Sequence, residues 1–166
     1  MRHIIAILLQ NEAGALNRVA GLFSTRGYNI ESLNVAPTDN AAVSRLTLVT
    51  EGSDAVIHQI ASQLLKLVDV VSVEDMTGGE HVERELLLIK IRLRPDARDE
   101  LSGFIGRAGG KILSASGDYH IIELTSSVAQ IDAFVAEAER CGQLLEVVRS
   151  GALGIARGAR SLVPSP

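Results

Sequence analysis

The feature that most constrains this chain is an order of elements that occurs twice. From His3 to Gln10 the residues are almost continuously apolar and stop at Asn11, the pattern of a strand buried on both faces. Leu16, Val19, Ala20 and Phe23 follow at i, i+3, i+4 and i+7, and Gly27 closes the run, which predicts an amphipathic helix. Two β-prone runs, Ile30 to Ala36 and Val43 to Thr50, flank the turn-forming set Pro37, Thr38, Asp39 and Asn40. Ser53 or Asp54 caps a second helix with Val56, Ile57, Ile60, Ala61 and Leu64 on its apolar face, and Val70 to Val73 gives a fourth strand. The order is βαββαβ.

The second half repeats that order with little repetition of residues. Glu85 to Arg94 reads as a strand, and Pro95 with Asp96 announces a helix bearing Leu101, Phe104, Ile105 and Ala108, ended by Gly109 and Gly110. Lys111 to Ala115 and His120 to Leu124 flank the hairpin signal Ser116, Gly117 and Asp118. Val128, Ile131, Phe134, Val135 and Ala138 mark the last helix, and Leu144 to Arg149 the last strand. The expected fold class is α+β, two tandem ferredoxin-like βαββαβ domains over 1–76 and 84–150. Residues 77–83, rich in Gly around Thr77 to His81, are expected as a linker, and residues 151–166, ending in Pro164, Ser165 and Pro166, as a mobile tail. Units of about 70 residues bury a limited core and leave sheet edges unpaired, so edge pairing in a homodimer is expected.

Composition narrows the function. A formal charge of -4, an aromatic share of 3% and no Trp argue against nucleic-acid partners, which call for a basic face or stacking platforms. The single cysteine, Cys141, forms no intrachain disulfide, and no apolar run reaches the roughly 18 residues of a membrane span. With no cleavage signal after Met1 to Gln10, the expectation is a cytoplasmic protein without membrane attachment.

The stretch Gln10 to Leu16 is where ligand chemistry is expected. At a strand-to-helix junction the first helical N–H groups lack partners and the helix dipole favours an anion, while Gly14 lets a carboxylate approach the backbone. Asn11 adds a donor and an acceptor, and Asn29 opens the neighbouring strand, so that two amides are placed to converge on an α-amino acid. A competing reading makes Asn11 a helix cap, Gly14 incidental and Asn29 a turn residue.

The run from Asn11 to Asp39, NEAGALNRVAGLFSTRGYNIESLNVAPTD, resembles the amino-acid-binding ACT domain at the start of the small subunit of acetohydroxyacid synthase. The resemblance continues from Leu67 to Ile91 and from Glu146 to Gly158, and is poorest between Arg92 and Gly103 and beyond Arg160. It implies a non-catalytic, regulatory subunit that activates a large catalytic subunit and confers feedback inhibition, commonly by valine. No cofactor is expected in this chain; thiamine diphosphate, magnesium and FAD are expected on that partner. The family's effector positions, at the interface of two ACT domains, match Asn11, Gly14 and Asn29, with Ala36 matching a position linked to effector sensitivity. The alternative is an amino-acid sensor of the same type acting on a different partner.

Other residues carry less. His3, His58, His81 and His120 lack metal-ligand spacing, so no metal site is expected. His58 is expected on an exposed helix face and Cys141 as a buried thiol without a base. Arg18, Arg26 and Arg45 read as solvated charges. No phosphate-binding or nucleophile motif is present, and the first strand-to-helix loop lacks the Arg that a ferredoxin-like acylphosphatase needs.

Overall fold

The computed structural model describes residues 1–163. It divides into two compact units, one comprising Met1–Val82 together with the chain from Ala152 onward, the other Glu83–Gly151.

In the first unit β1 (Arg2–Gln10), α1 (Ala15–Thr25), β2 (Ser32–Pro37), β3 (Val43–Glu51), α2 (Asp54–Leu64) and β4 (Val70–Asp75) follow in the expected order. The strands form an antiparallel sheet ordered β2-β3-β1-β4. Central β1 is buried from His3 to Leu9 because both its faces are covered. Ile5, Ile7 and Leu9 meet Val19 and Phe23 of α1 and Ile57, Ile60 and Leu64 of α2, while Ile4 and Ala6 point the other way, toward Val49, Met76 and Ala152. Full burial of each large side chain in these layers contributes roughly 1.5–3 kcal/mol. Ser53 caps α2, its side chain accepting from the Val56 N–H at 3.4 Å.

The second unit holds β5 (His81–Leu93) from Glu83 onward, then α3 (Arg98–Ala108), β6 (Lys111–Ser116), β7 (Tyr119–Ser126), α4 (Val128–Cys141) and β8 (Gly142–Arg149), with the strand order β6-β7-β5-β8. Leu87, Ile89, Ile91 and Leu93 alternate inward from β5 onto Leu101, Ile105, Ile131 and Phe134. Phe104 stacks on Phe134 with ring centroids 4.8 Å apart. Glu85, 4% exposed, is held by Arg149, whose Nη1 also donates to Asp132 at 2.8 Å. Those contacts raise the Arg149 guanidinium above its ordinary value.

Two sequence expectations change. The linker is shorter than 77–83, because β5 already starts at His81 and Thr77 is fixed by accepting the Ile4 N–H at 3.0 Å. The segment expected as a tail folds back onto the first unit. Ala152 is 2% exposed, and Leu153–Ala156 forms a short strand, β9. The Arg157 N–H donates to Glu80 O at 2.9 Å and Arg160 binds Glu74 at 2.5 Å. Small residues make this possible: a Cβ on Gly154 would stand 2.5 Å from Met76 Cε and 2.9 Å from Ile4 Cδ1. Pro164, Ser165 and Pro166, the end of the expected tail, lie outside the described residues.

Candidate effector site

Where β1 ends, the chain is pinned on two sides. The Gln10 N–H donates to Asp69 O and the Asn11 N–H to Ala42 O, each at 2.8 Å. Asn11 does not cap α1; its Nδ2 donates to Ala41 O at 2.9 Å and ties the turn to the loop before β3. The capping position is Gly14, at φ +89°, with no side-chain bond to the helix's first N–H groups. Only glycine adopts that backbone without strain. The Ala15 N–H donates to Glu12 O at 3.2 Å, while no side chain caps α1 and no acidic residue stands in its first turn to answer the helix dipole.

Beside this turn lies a charge pair not anticipated from the sequence. Arg18 donates through Nη2 to Asp69 Oδ1 at 2.8 Å and through Nε to Oδ2. Asp69 is 4% exposed. The guanidinium's hydrogen bonds hold the Asp69 carboxyl below the usual carboxylate range and raise Arg18 in turn. Arg18 also stands 3.1 Å from where a Cβ on Gly14 would be, so a side chain there meets the cation. The one signal in the sequence was Asp69 itself, a lone charge within the apolar run Leu67 to Val71.

A cleft of about 220 Å³ opens at this end of the sheet. Leu9, Leu16, Val35 and Pro37 give it apolar walls, and Asn11 and Ala36 belong to its lining. Gly14 immediately precedes the lining residue Ala15. The volume is below the roughly 300–1,000 Å³ of drug-sized sites and is on the scale of a single amino acid.

Asn29 is elsewhere. Its carbonyl accepts from Thr50 Oγ1 at 2.6 Å, and Thr50 pairs with His3 at the far end of β1. Asn11 lies beside Ala42, eight positions away along β3, roughly 26 Å at a strand's rise. Within one chain the amides of Asn11 and Asn29 do not converge, because α1 carries the chain the length of the sheet before β2 begins.

The remaining polar residues are placed as follows. His58 and Arg26 are exposed. Cys141 is buried in the second core, which pushes its thiol up. Arg45, expected to be solvated, is partly buried and donates to Gly154 O at 2.8 Å. Among the described residues no helix is long and apolar enough to cross a membrane.

A βαββαβ unit with a small cleft at its first strand-to-helix turn is an ACT-type arrangement, and residues 5–72 match the AHAS small subunit-like ACT domain family. Residues 84–158 match the family described as small subunit of acetolactate synthase. The isozyme 3 small subunit of acetolactate synthase from Escherichia coli is 46% identical over 95% of this chain and 97% of its own length. The acetolactate synthase small subunit of Haemophilus influenzae is 42% identical over 98% of this chain and all of its own. The crystal structure of the Thermotoga maritima acetolactate synthase small subunit superposes with a TM-score of 0.87 at 33% identity, covering 96% of this chain and 99% of that one. This chain belongs to the acetolactate synthase small-subunit family.

Proposed function

We propose that this chain is a regulatory subunit: it binds the large catalytic subunit of acetolactate synthase in the cytoplasm, raises its activity, and confers feedback inhibition by a branched-chain amino acid, valine foremost. The reaction and its thiamine diphosphate, magnesium and FAD reside in that partner. The observation that carries the reading is the position of β2. It is the terminal strand of its sheet, and Val35 on it is 40% exposed. If β2 pairs with β2 of a second copy about a two-fold axis, the strands run antiparallel and Ser32 of one copy approaches Pro37 of the other. Asn29 of the second copy then falls near the cleft lined by Asn11 and Ala36. A homodimer through the ACT domains completes a site that each chain holds in two halves.

The parts have separable roles. Gly14 and the α1 N-terminus receive the effector's carboxylate, the two asparagine amides its polar groups, and Leu9, Leu16 and Val35 its alkyl chain. Binding across two copies biases the assembly toward an inhibited arrangement, and a coupling of about 1–3 kcal/mol is the scale such a device needs. Reconstitution with the purified catalytic subunit tests the reading. Gly14→Asp, which sets a side chain and a negative charge where the carboxylate docks, is expected to abolish valine inhibition and leave activation in place. Retained inhibition in that variant would remove the site from the mechanism.

A further inference from the structure

Beneath β9 the first unit holds a second cleft, of about 310 Å³, on the sheet face turned away from α1 and α2. Ala36 is in the lining of both clefts. The floor comes from β2 and β3, where Ala36 pairs with Arg45 and Asn34 with Thr47, so that these side chains share one face. Leu153 and Ile155 of β9 supply an apolar wall.

The polar groups of this cleft are out of balance. Arg45 makes one side-chain hydrogen bond among the described residues, the bond to Gly154 O, and no carboxylate lies within ion-pair distance of it. Glu74, the carboxylate that acts on it through space, is engaged by Arg160. Burial lowers the Arg45 guanidinium from its ordinary value. Thr47, 3% exposed, lines the cleft two positions along β3 from Arg45. A partly desolvated cation without a counter-charge is unfavourable, and a bound anion relieves it. The guanidinium's fork of donors matches a carboxylate. No Asp or Glu lines the cleft to receive an ammonium group.

We propose that the cleft under β9 binds a small monocarboxylate that carries a short apolar chain and no amino group. Its carboxylate sits on Arg45 and Thr47 and its alkyl chain against Leu153 and Ile155. The site is distinct from the amino-acid cleft at the β1–α1 turn and does not depend on it.

The test is a calorimetric titration of the full chain with 3-methyl-2-oxobutanoate. Saturable binding is expected, it persists when valine is present at saturation, and 3-methylbutan-2-one, which lacks the carboxylate, gives none. Arg45→Gln weakens the oxo acid roughly 10- to 100-fold, the scale of a lost charge-assisted hydrogen bond. Because Arg45 also anchors β9, Thr47→Val serves as the second variant, leaving the Gly154 contact intact and weakening binding several-fold. An absence of saturable binding, equal binding of the ketone, displacement by valine at one-to-one competition, or unchanged affinity in Thr47→Val would each overturn the proposal.

Discussion

Arg18 and Asp69 stand 51 positions apart in the chain and close a two-bond ion pair at the root of the β1–α1 turn, with Asp69 almost wholly buried. Asp69 O also receives the Gln10 N–H, so the residue fixes the end of β1 through its backbone and the start of α1 through its side chain. The pair makes stability depend on acid in a defined direction. The folded-state value of Asp69 is depressed, chiefly by the hydrogen bonds from Arg18. Its contribution is present above the unfolded carboxylate value of about 3.9 and is lost as pH falls through the depressed folded value. Thermal melts between neutral pH and strong acid are expected to show a shallower acid-side decline in Asp69→Asn than in the parent chain. Identical slopes would show that the pair carries no linkage.

Removing the cation alone has a different expected result. Arg18→Met leaves a buried carboxylate facing the turn without its partner, an arrangement more damaging than losing both charges. The melting temperature is expected to fall further in Arg18→Met than in the double variant Arg18→Met with Asp69→Asn, a comparison that differential scanning calorimetry makes directly.

Gly154 bears on the return of the chain end to the first unit. Its missing side chain admits Met76 and Ile4, so Gly154→Val overpacks the layer formed by Ile4, Ala6, Val49, Met76 and Ala152. A loss of about 1–3 kcal/mol is expected from denaturant unfolding. Amide exchange at Arg157, whose N–H is bonded to Glu80, is expected to accelerate in the same variant.

In the second unit the corresponding weak point is Gly142, where α4 passes directly into β8. A Cβ there would stand 2.3 Å from Arg92 O and 2.9 Å from Leu93 Cα. Both are backbone atoms of β5 and do not swing aside as a side-chain tip does. Gly142→Ala is expected to cost about 3 kcal/mol, read from the chemical unfolding midpoint. An unaltered midpoint would mean that the two strands separate without penalty.

The sequence disclosed these elements unequally, for physical reasons. A strand buried on both faces must be apolar throughout, so β1 is legible in His3 to Gln10, and Ser53 is legible as a cap because the capping bond needs a short oxygen-bearing side chain. The return of Ala152 to Ala156 was not, because Ala and Gly pack through closeness and leave no hydrophobic period to read. Arg18 and Arg45 resemble solvated charges in sequence; their partners, Asp69 and the Gly154 carbonyl, are 51 and 109 positions away. Asn11, Gly14 and Ala36 were found together at one end of the sheet, but spacing says nothing of the direction in which a helix returns the chain, and that direction separates Asn29 from them.

The central claim, that Asn11 of one copy and Asn29 of another share one effector site, is tested most directly by mixing two defective chains. Asn11→Ala and Asn29→Ala are each titrated with valine alone, then after equimolar mixing and subunit exchange. Each alone is expected to bind weakly or not at all. Random pairing makes half the dimers hybrid, and each hybrid carries one site with both asparagines, so about a quarter of the parent chain's binding capacity should return with its affinity. A mixture that binds no better than its components would contradict the shared site.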